Sequence, residues 1–124
     1  MSASRAEAAI AAWVRLATQN SESTTVILGK FTGATSPTSY QNVAKAVQAT
    51  YFQLSDEAWN AVAKAGATWT VNQAFLQQQM SQGKTFVLTS DPATAIGAFL
   101  NEVNWLIGQG YQFINSGPFW TAVK

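Results

Sequence analysis

Four short apolar runs rich in β-forming residues, separated by stretches of helical periodicity, constrain this chain more than any other feature. The runs are TVILGKF, TYFQL, KTFVLT and YQFI, which begin at residues 25, 50, 84 and 111. Strands that alternate with helices are typical of a parallel sheet whose two faces are covered by helices. We therefore predict an α/β domain with a mostly parallel four-stranded sheet flanked by helices.

The flanking segments complete this prediction. Residues 1–20 carry apolar side chains at helical spacing and predict an N-terminal helix, whereas residues 25–114 contain the α/β core. A helix over 68–82 ends at Gly83. The C-terminal segment SGPFWTAVK is expected to be a tail. The whole chain, residues 1–124, is the size of one ordinary domain.

A helix over residues 98–109 is the last one predicted. Its spacing turns Phe99, Val103, Leu106 and Ile107 toward the core. Trp105 falls on the opposite side of this helix, where an exposed tryptophan would mark a partner surface.

The composition excludes several classes of site. The chain has no cysteine and no histidine, which removes disulfide frameworks, Cys/His zinc sites, thiol nucleophiles and histidine-dependent hydrolysis. Its seven basic and six acidic residues give a net charge of +1, and the basic residues are scattered, so a nucleic-acid partner is not expected. No apolar run reaches the roughly 20 residues of a membrane span. We expect a soluble domain whose chemistry uses carboxylates, hydroxyls, lysine or aromatic faces, without a metal.

In parallel sheets, ligands bind at the carboxyl ends of the strands. One of these ends, TSDPATAIG, lies just before Glu102 and has two interpretations. Asp91 can cap a helix that has Pro92 at its first position. Alternatively, the segment is a loop that presents backbone amides to phosphates and brings Glu102 to a substrate. Both interpretations can hold if a short turn comes first.

Four segments carry a family resemblance. TYFQLSDEAWNAV, from residue 50, is similar to a strand and acidic segment of the type M-F-T-L-E-D-T-L, and WTVNQAF, from residue 69, resembles a W-x-x-V-S-x-x-F helix but is one residue shorter. TFVLTSDPATAIGAFLNEV, from residue 85, resembles a strand, loop and catalytic F-x-x-x-E element, here F-x-x-E. VILGKF stands in the place of an L-L-W-S-R strand end. Over residues 25–114 the chain thus resembles the Rossmann-like half of the ADP-ribosyl cyclases, which cleave NAD at the nicotinamide–ribosyl bond.

A second resemblance concerns bacterial polymorphic toxins. The run LGK, YF-x-L, W-x-x-N-x-x-FL, F-x-x-E and GY-x-F is similar to effector modules at the C-termini of these proteins. Together the two resemblances imply a small Rossmann-like NAD glycohydrolase, with NAD as substrate and no other cofactor. They also imply a role in interbacterial competition. The domain would be secreted as part of a larger effector and delivered to the cytoplasm of target cells. A cognate immunity protein would be its partner.

The first resemblance implies roles for individual residues. Glu102 takes the place of the catalytic glutamate, Trp69 that of an aromatic wall for the nicotinamide ring, and Asn72 that of a serine near the scissile ribose. The groups expected to face the phosphates are Gly29, Lys30 and the backbone from Gly97 to Phe99.

Two site positions carry a different residue from the one in the family. Ser55 lies where the family has a glutamate that favours cyclisation, which leaves Asp56 as a candidate replacement and favours hydrolysis. Gly29 lies where the family has a second stacking tryptophan, so that wall would come from Trp120 or Tyr40.

Two other functions stay open. One is a toxin ribonuclease acting on tRNA or other RNA, in which Lys30 and Glu102 would serve. The other is a non-enzymatic interaction domain, for which the evidence is Trp105.

Overall fold

The computed structural model describes the backbone of residues 2–29 and 40–124, and the side chains of residues 8–29 and 41–124. In these ranges five helices, six strands and a short 3₁₀ turn follow one another along the chain. They are α1 (Ser2–Ala17), β1 (Thr18–Gln19), β2 (Thr25–Leu28), α2 (Tyr40–Val47), β3 (Tyr51–Phe52), α3 (Asp56–Lys64), α4 (Thr68–Ser81), β4 (Thr85–Leu88), the turn Pro92–Thr94, α5 (Gly97–Gly108), β5 (Gln112–Ser116) and β6 (Phe119–Val123). The predicted N-terminal helix and the α/β class are confirmed.

The main sheet has four strands in the order β2-β4-β6-β5. β2 and β4 are parallel, with Val26 opposite Phe86, whereas β6 is antiparallel to both of its neighbours. β5 therefore runs in the same direction as β2 and β4. A parallel bridge from Val26 to Thr50 leads to β3, which pairs with β1 in a separate antiparallel sheet. The prediction of a mostly parallel sheet is wrong, because the antiparallel strand β6 lies between β4 and β5.

The C-terminal segment forms this strand, and the prediction of a tail is wrong. Ser116 pairs with Phe119, so the two-residue turn of the hairpin consists of Gly117 and Pro118. Gly117 has a φ of 70°, and the ring of Pro118 fixes its own φ near −65°. These signs are those of a type II′ turn, whose twist matches that of the flanking strands.

The conformation of Gly117 predicts a loss of stability in the Gly117→Ala variant. A side chain at this positive φ costs about 1–2 kcal/mol, although no other group of the described residues lies within 4 Å of the added Cβ. Gly108 also has open space around it but lies in a helix, so Gly108→Ala is the matched control and should be neutral or stabilising. Urea denaturation of the two variants checks the opposite signs. Equal effects would contradict the turn assignment.

The two faces of the sheet bury separate clusters. One face contributes Val26, Leu28, Phe86 and Leu88 to the main core, which also contains side chains of α1, α4 and α5. The opposite face contributes Ile27 to a smaller cluster with Ala44 of α2 and with Ala49 and Tyr51. Alternate residues along β2 thus serve the two clusters, as the two-residue period of a strand requires.

The orientation of α5 differs from the prediction at two positions. Phe99, Val103 and Leu106 are buried as expected, but Ile107 is 55% exposed and Trp105 is buried. The buried side of the helix includes Glu102. This side is therefore rotated toward Trp105, and Ile107 faces solvent. Trp105 therefore provides no partner surface.

Candidate functional site

Glu102 lies in the second turn of α5 and faces the interior of the protein. It is 7% exposed and is one of the few buried charged or polar side chains of the described residues. Burial raises the pKa of Glu102 from 4.5 to about 8, and a hydrogen bond from the side chain of Asn72 opposes this shift only in part. The carboxyl group of the free protein consequently holds its proton at neutral pH.

Asn72 of α4 is the polar neighbour of this carboxyl. It is 6% exposed, and its side-chain N–H group donates to Glu102. Its Oδ1 atom is buried without a hydrogen-bond partner among the described residues. Leaving an acceptor unpaired in this way costs about 1–3 kcal/mol, and such groups in native proteins call for an explanation. The protonated carboxyl group of Glu102 therefore lies next to an amide whose oxygen has no partner among the described residues.

Trp69 precedes Asn72 by one turn of α4. It is partly buried and packs against the main core. Residues three apart on a helix are neighbours on its surface. The ring of Trp69, the predicted aromatic wall, is thus a neighbour of the Asn72 side chain on α4. The Asn72 amide in turn contacts Glu102.

The segment before α5 confirms the capping interpretation. Asp91 Oδ1 accepts a hydrogen bond of 2.9 Å from the Ala93 N–H group, and Pro92 is the first residue of the 3₁₀ turn. α5 begins after this turn, and no side chain in the described part of the chain caps its N-terminus at Ile96. Gly97 is exposed with a φ of 59°, whereas the Phe99 side chain is buried in the core. The role of these amides in binding phosphate stays a prediction.

The other predicted residues have the following positions. Gly29 is buried directly after β2. The Ser55 hydroxyl accepts a hydrogen bond of 3.2 Å from the Ala58 N–H group and caps α3. Trp120 of β6 lies opposite Leu88 at the carboxyl end of β4 and is partly buried in the main core. Lys30 and the side chain of Tyr40 lie outside the described residues.

A buried lysine at the opposite end of the strands was not predicted from the sequence. Lys84 immediately precedes β4, and its Nζ group donates to the Ser21 carbonyl at 2.7 Å and to Thr50 Oγ1 at 3.4 Å. Burial lowers the pKa of Lys84. Its partners are neutral oxygens at the amino ends of β2 and β4, so Lys84 holds a loop in place and is not part of the Glu102 site.

A polar cavity of about 480 Å³ lies at that loop, lined by Thr18, Asn20, Ser21, Glu22, Ser23 and Gln48. Asn20 and Gln48 have φ values of 52° and 56°. The Asn20 side chain donates to the Ala49 carbonyl, and the Thr50 hydroxyl donates to the Asn20 carbonyl. These bonds keep Asn20 in its left-handed conformation.

The described part of the chain contains no group of three or more acidic side chains that could hold a metal ion. Within the same ranges, none of the helices combines the length and apolar character needed to cross a bilayer.

Comparisons with protein-family models, with curated proteins and with solved structures found no match for this chain.

Proposed function

We propose that this protein is an NAD glycohydrolase, a toxin effector that cleaves NAD between nicotinamide and ribose. The proposal also includes a small Rossmann-like core and delivery of the domain to the cytoplasm of a target cell. The observation that supports it best is the contact between Glu102 and Asn72. The family pattern assigns both residues to one site, and they are 30 positions apart in the chain.

The electrostatics of the pair suit a cationic substrate. Nicotinamide in NAD is positively charged, and a nearby positive charge lowers the pKa of a carboxyl group. Binding would therefore release the Glu102 proton to solvent and leave a carboxylate beside the scissile bond. Because Glu102 and Asn72 are each less than a tenth exposed, α4 and α5 must separate locally before substrate reaches them.

The reaction needs one negative charge and no general acid. As the bond between the nicotinamide nitrogen and the ribose carbon breaks, its electron pair neutralises the ring and leaves an oxocarbenium-like cation. The Glu102 carboxylate stabilises this cation, an effect usually worth several kcal/mol in a site shielded from water. Water then attacks the ribose carbon and loses a proton to solvent. The products are nicotinamide, ADP-ribose and a proton.

Asn72 has a separate task in this scheme. Its N–H group positions the carboxylate, while its free Oδ1 atom accepts a hydrogen bond from a ribose hydroxyl. That bond would satisfy an acceptor that has no partner among the described residues. Because Ser55 replaces the glutamate that favours cyclisation, we propose hydrolysis over formation of a cyclic product.

Product analysis tests the proposed function. The folded protein is incubated with NAD and, separately, with tRNA, and the products are separated by chromatography and by gel. We expect release of nicotinamide and ADP-ribose with intact RNA. Degraded RNA with intact NAD would replace the proposal with the ribonuclease. If neither substrate changes at micromolar protein, the enzyme proposal fails.

Substitution of Trp69 tests the aromatic wall. A cation over a tryptophan ring gains roughly 0.5–2 kcal/mol, so Trp69→Ala should raise the KM for NAD by about 2- to 30-fold. Trp69→Phe should have a smaller effect. Trp59 of α3 is exposed and lies outside the predicted site, so Trp59→Ala is the control and should leave KM unchanged. An unchanged KM in Trp69→Ala would remove this residue from the site.

A further inference from the structure

Trp105 is a buried tryptophan of α5 that has no role in the reaction described above. It belongs to the main core together with Phe99, Val103 and Leu106 of the same helix. These three neighbours are at most 3% exposed, whereas Glu102 is 7% and Trp105 is 8% exposed. Trp105 and Glu102 are thus the two residues at the margin of the buried side of α5.

The order of residues around the helix places Trp105 on the solvent side of Glu102. Successive residues are about 100° apart, so Trp105 lies about 60° from Glu102 in one direction and Leu106 about 40° from it in the other. Beyond Trp105 follow Asn101 and Gly108, which are both exposed. Trp105 is therefore the large apolar side chain between the Glu102 carboxyl group and the solvent on that side of α5.

The direction of helical side chains also brings the ring to the acid. Long side chains lean toward the N-terminus of their helix and cover the preceding turn. The turn that precedes Trp105 carries Glu102, three residues earlier. Asn72 contacts the carboxyl group from the second helix, α4. The carboxyl group is thus enclosed by an amide of α4 and an aromatic ring of its own helix.

Burial is the main influence on this carboxyl group. The elements α4, α5, β2, β4 and β6 carry no charged side chain other than Glu102, and Arg15, the charged residue of α1 whose side chain is described, is exposed. Burial raises the pKa of Glu102, and the hydrogen bond from Asn72 opposes this only in part. Removing a part of the cover should lower this pKa, because hydration favours the carboxylate.

We propose that Trp105 is a positioning residue whose ring covers the Glu102 carboxyl group and excludes water from the site of bond cleavage. A carboxylate stabilises the ribosyl cation more strongly where water does not screen its charge. Without the cover, the carboxylate would form in the free protein and be hydrated. The catalytic effect of Trp105 rests on the proposed function, whereas the covering of Glu102 does not.

An NMR titration of ¹³C-carboxyl-labelled glutamate tests the cover without substrate. In Trp105→Ala the Glu102 signal should titrate clearly below pH 8, toward the ordinary value of 4.5. Trp105→Phe keeps an aromatic cover and should titrate like the wild type. Trp13 of α1 packs against the same core, so Trp13→Ala is the matched control and should leave the Glu102 titration unchanged.

Two results of this titration would overturn the proposal. One is an unchanged Glu102 pKa in Trp105→Ala, and the other is an equal drop in Trp13→Ala, which would show a general loosening of the core. Circular dichroism checks that the variants are folded. If Trp105→Ala is unfolded, Trp105→Leu, which has a smaller side chain, replaces it. The Glu102 pKa should then fall by less, and no fall at all would overturn the proposal.

Initial rates of nicotinamide release test the role of Trp105 in the reaction. Trp105→Ala should lower kcat at least about tenfold, and Trp105→Phe should restore most of it. The pH profile of kcat/KM reports the free enzyme, so its midpoint should move to lower pH together with the Glu102 pKa. A wild type without activity would contradict the proposed function alone, and the titration then decides on the cover. An active wild type whose kcat and pH profile Trp105→Ala leaves unchanged would overturn the role of Trp105.

Discussion

Glu102→Gln is expected to abolish nicotinamide release from NAD, by at least about 100-fold, while the protein stays folded. In the free protein the carboxyl group is protonated at neutral pH, and glutamine reproduces its shape and its neutral charge. The amide oxygen can still accept the hydrogen bond from Asn72. What glutamine cannot do is become negative when the ribosyl cation forms, so the loss should fall on kcat.

The control for this variant is Glu57→Gln. Glu57 lies exposed in the first turn of α3, so its replacement should leave the rate within about twofold of the wild type. Initial rates of nicotinamide formation at saturating NAD compare the three proteins. If Glu102→Gln kept more than a tenth of the wild-type kcat, Glu102 would not be the catalytic carboxylate.

A large pH dependence of stability is the second expected result. The Glu102 pKa is about 8 in the folded protein and near 4.5 in the unfolded chain. Between these values the folded state holds a proton that the unfolded state has released, so stability falls as the pH rises from about 4.5 to about 8. The contribution is fully present below the unfolded pKa and is lost above the folded one. Its full size is roughly 5 kcal/mol, comparable to the total stability of many small domains.

Urea denaturation at several pH values between 5 and 8.5 measures this effect. The free energy of unfolding of the wild type should fall steadily over that range. Glu102→Gln has no proton to lose at this position, so its stability should change far less and should exceed that of the wild type at pH 8.5. Parallel pH profiles of the two proteins would show that Glu102 titrates normally.

Local sequence signals predicted the elements that depend on local interactions. Asp91 and Pro92 form the expected turn, because the hydrogen bond that Asp91 accepts comes from a residue only two positions away. β6 was missed because its position depends on pairing across the hairpin and with β4. The segment that contains Gly117 and Pro118 carried turn residues, but the sequence did not indicate that a central strand follows them.

The inward face of α5 could not be predicted for a different reason. The helix has apolar residues on most of its circumference, so periodicity alone does not fix its rotation. Trp105 is buried and Ile107 is exposed, the reverse of the prediction, because the buried side of the helix includes Glu102. Burial of an acid is a property of the tertiary structure, and the periodicity of the helix does not indicate it.

The candidate site was only partly accessible from the sequence. Glu102 and Asn72 were selected through the family resemblance, and the structure brings them into contact. The protonation of the carboxyl group and the unpaired Asn72 oxygen depend on how α4 and α5 pack. Neither could be deduced from residue types or spacing.

The pKa of Glu102 with and without NAD tests the proposed role of this carboxyl group most directly. The chain has four glutamates, so ¹³C-carboxyl labelling of glutamate gives few NMR signals, and Glu102→Gln identifies the one of interest. We expect this signal to titrate with a pKa of about 8 in the free protein and at a clearly lower pH with saturating NAD. A pKa near 4.5 in the free protein, or a value that NAD does not change, would contradict the proposed role.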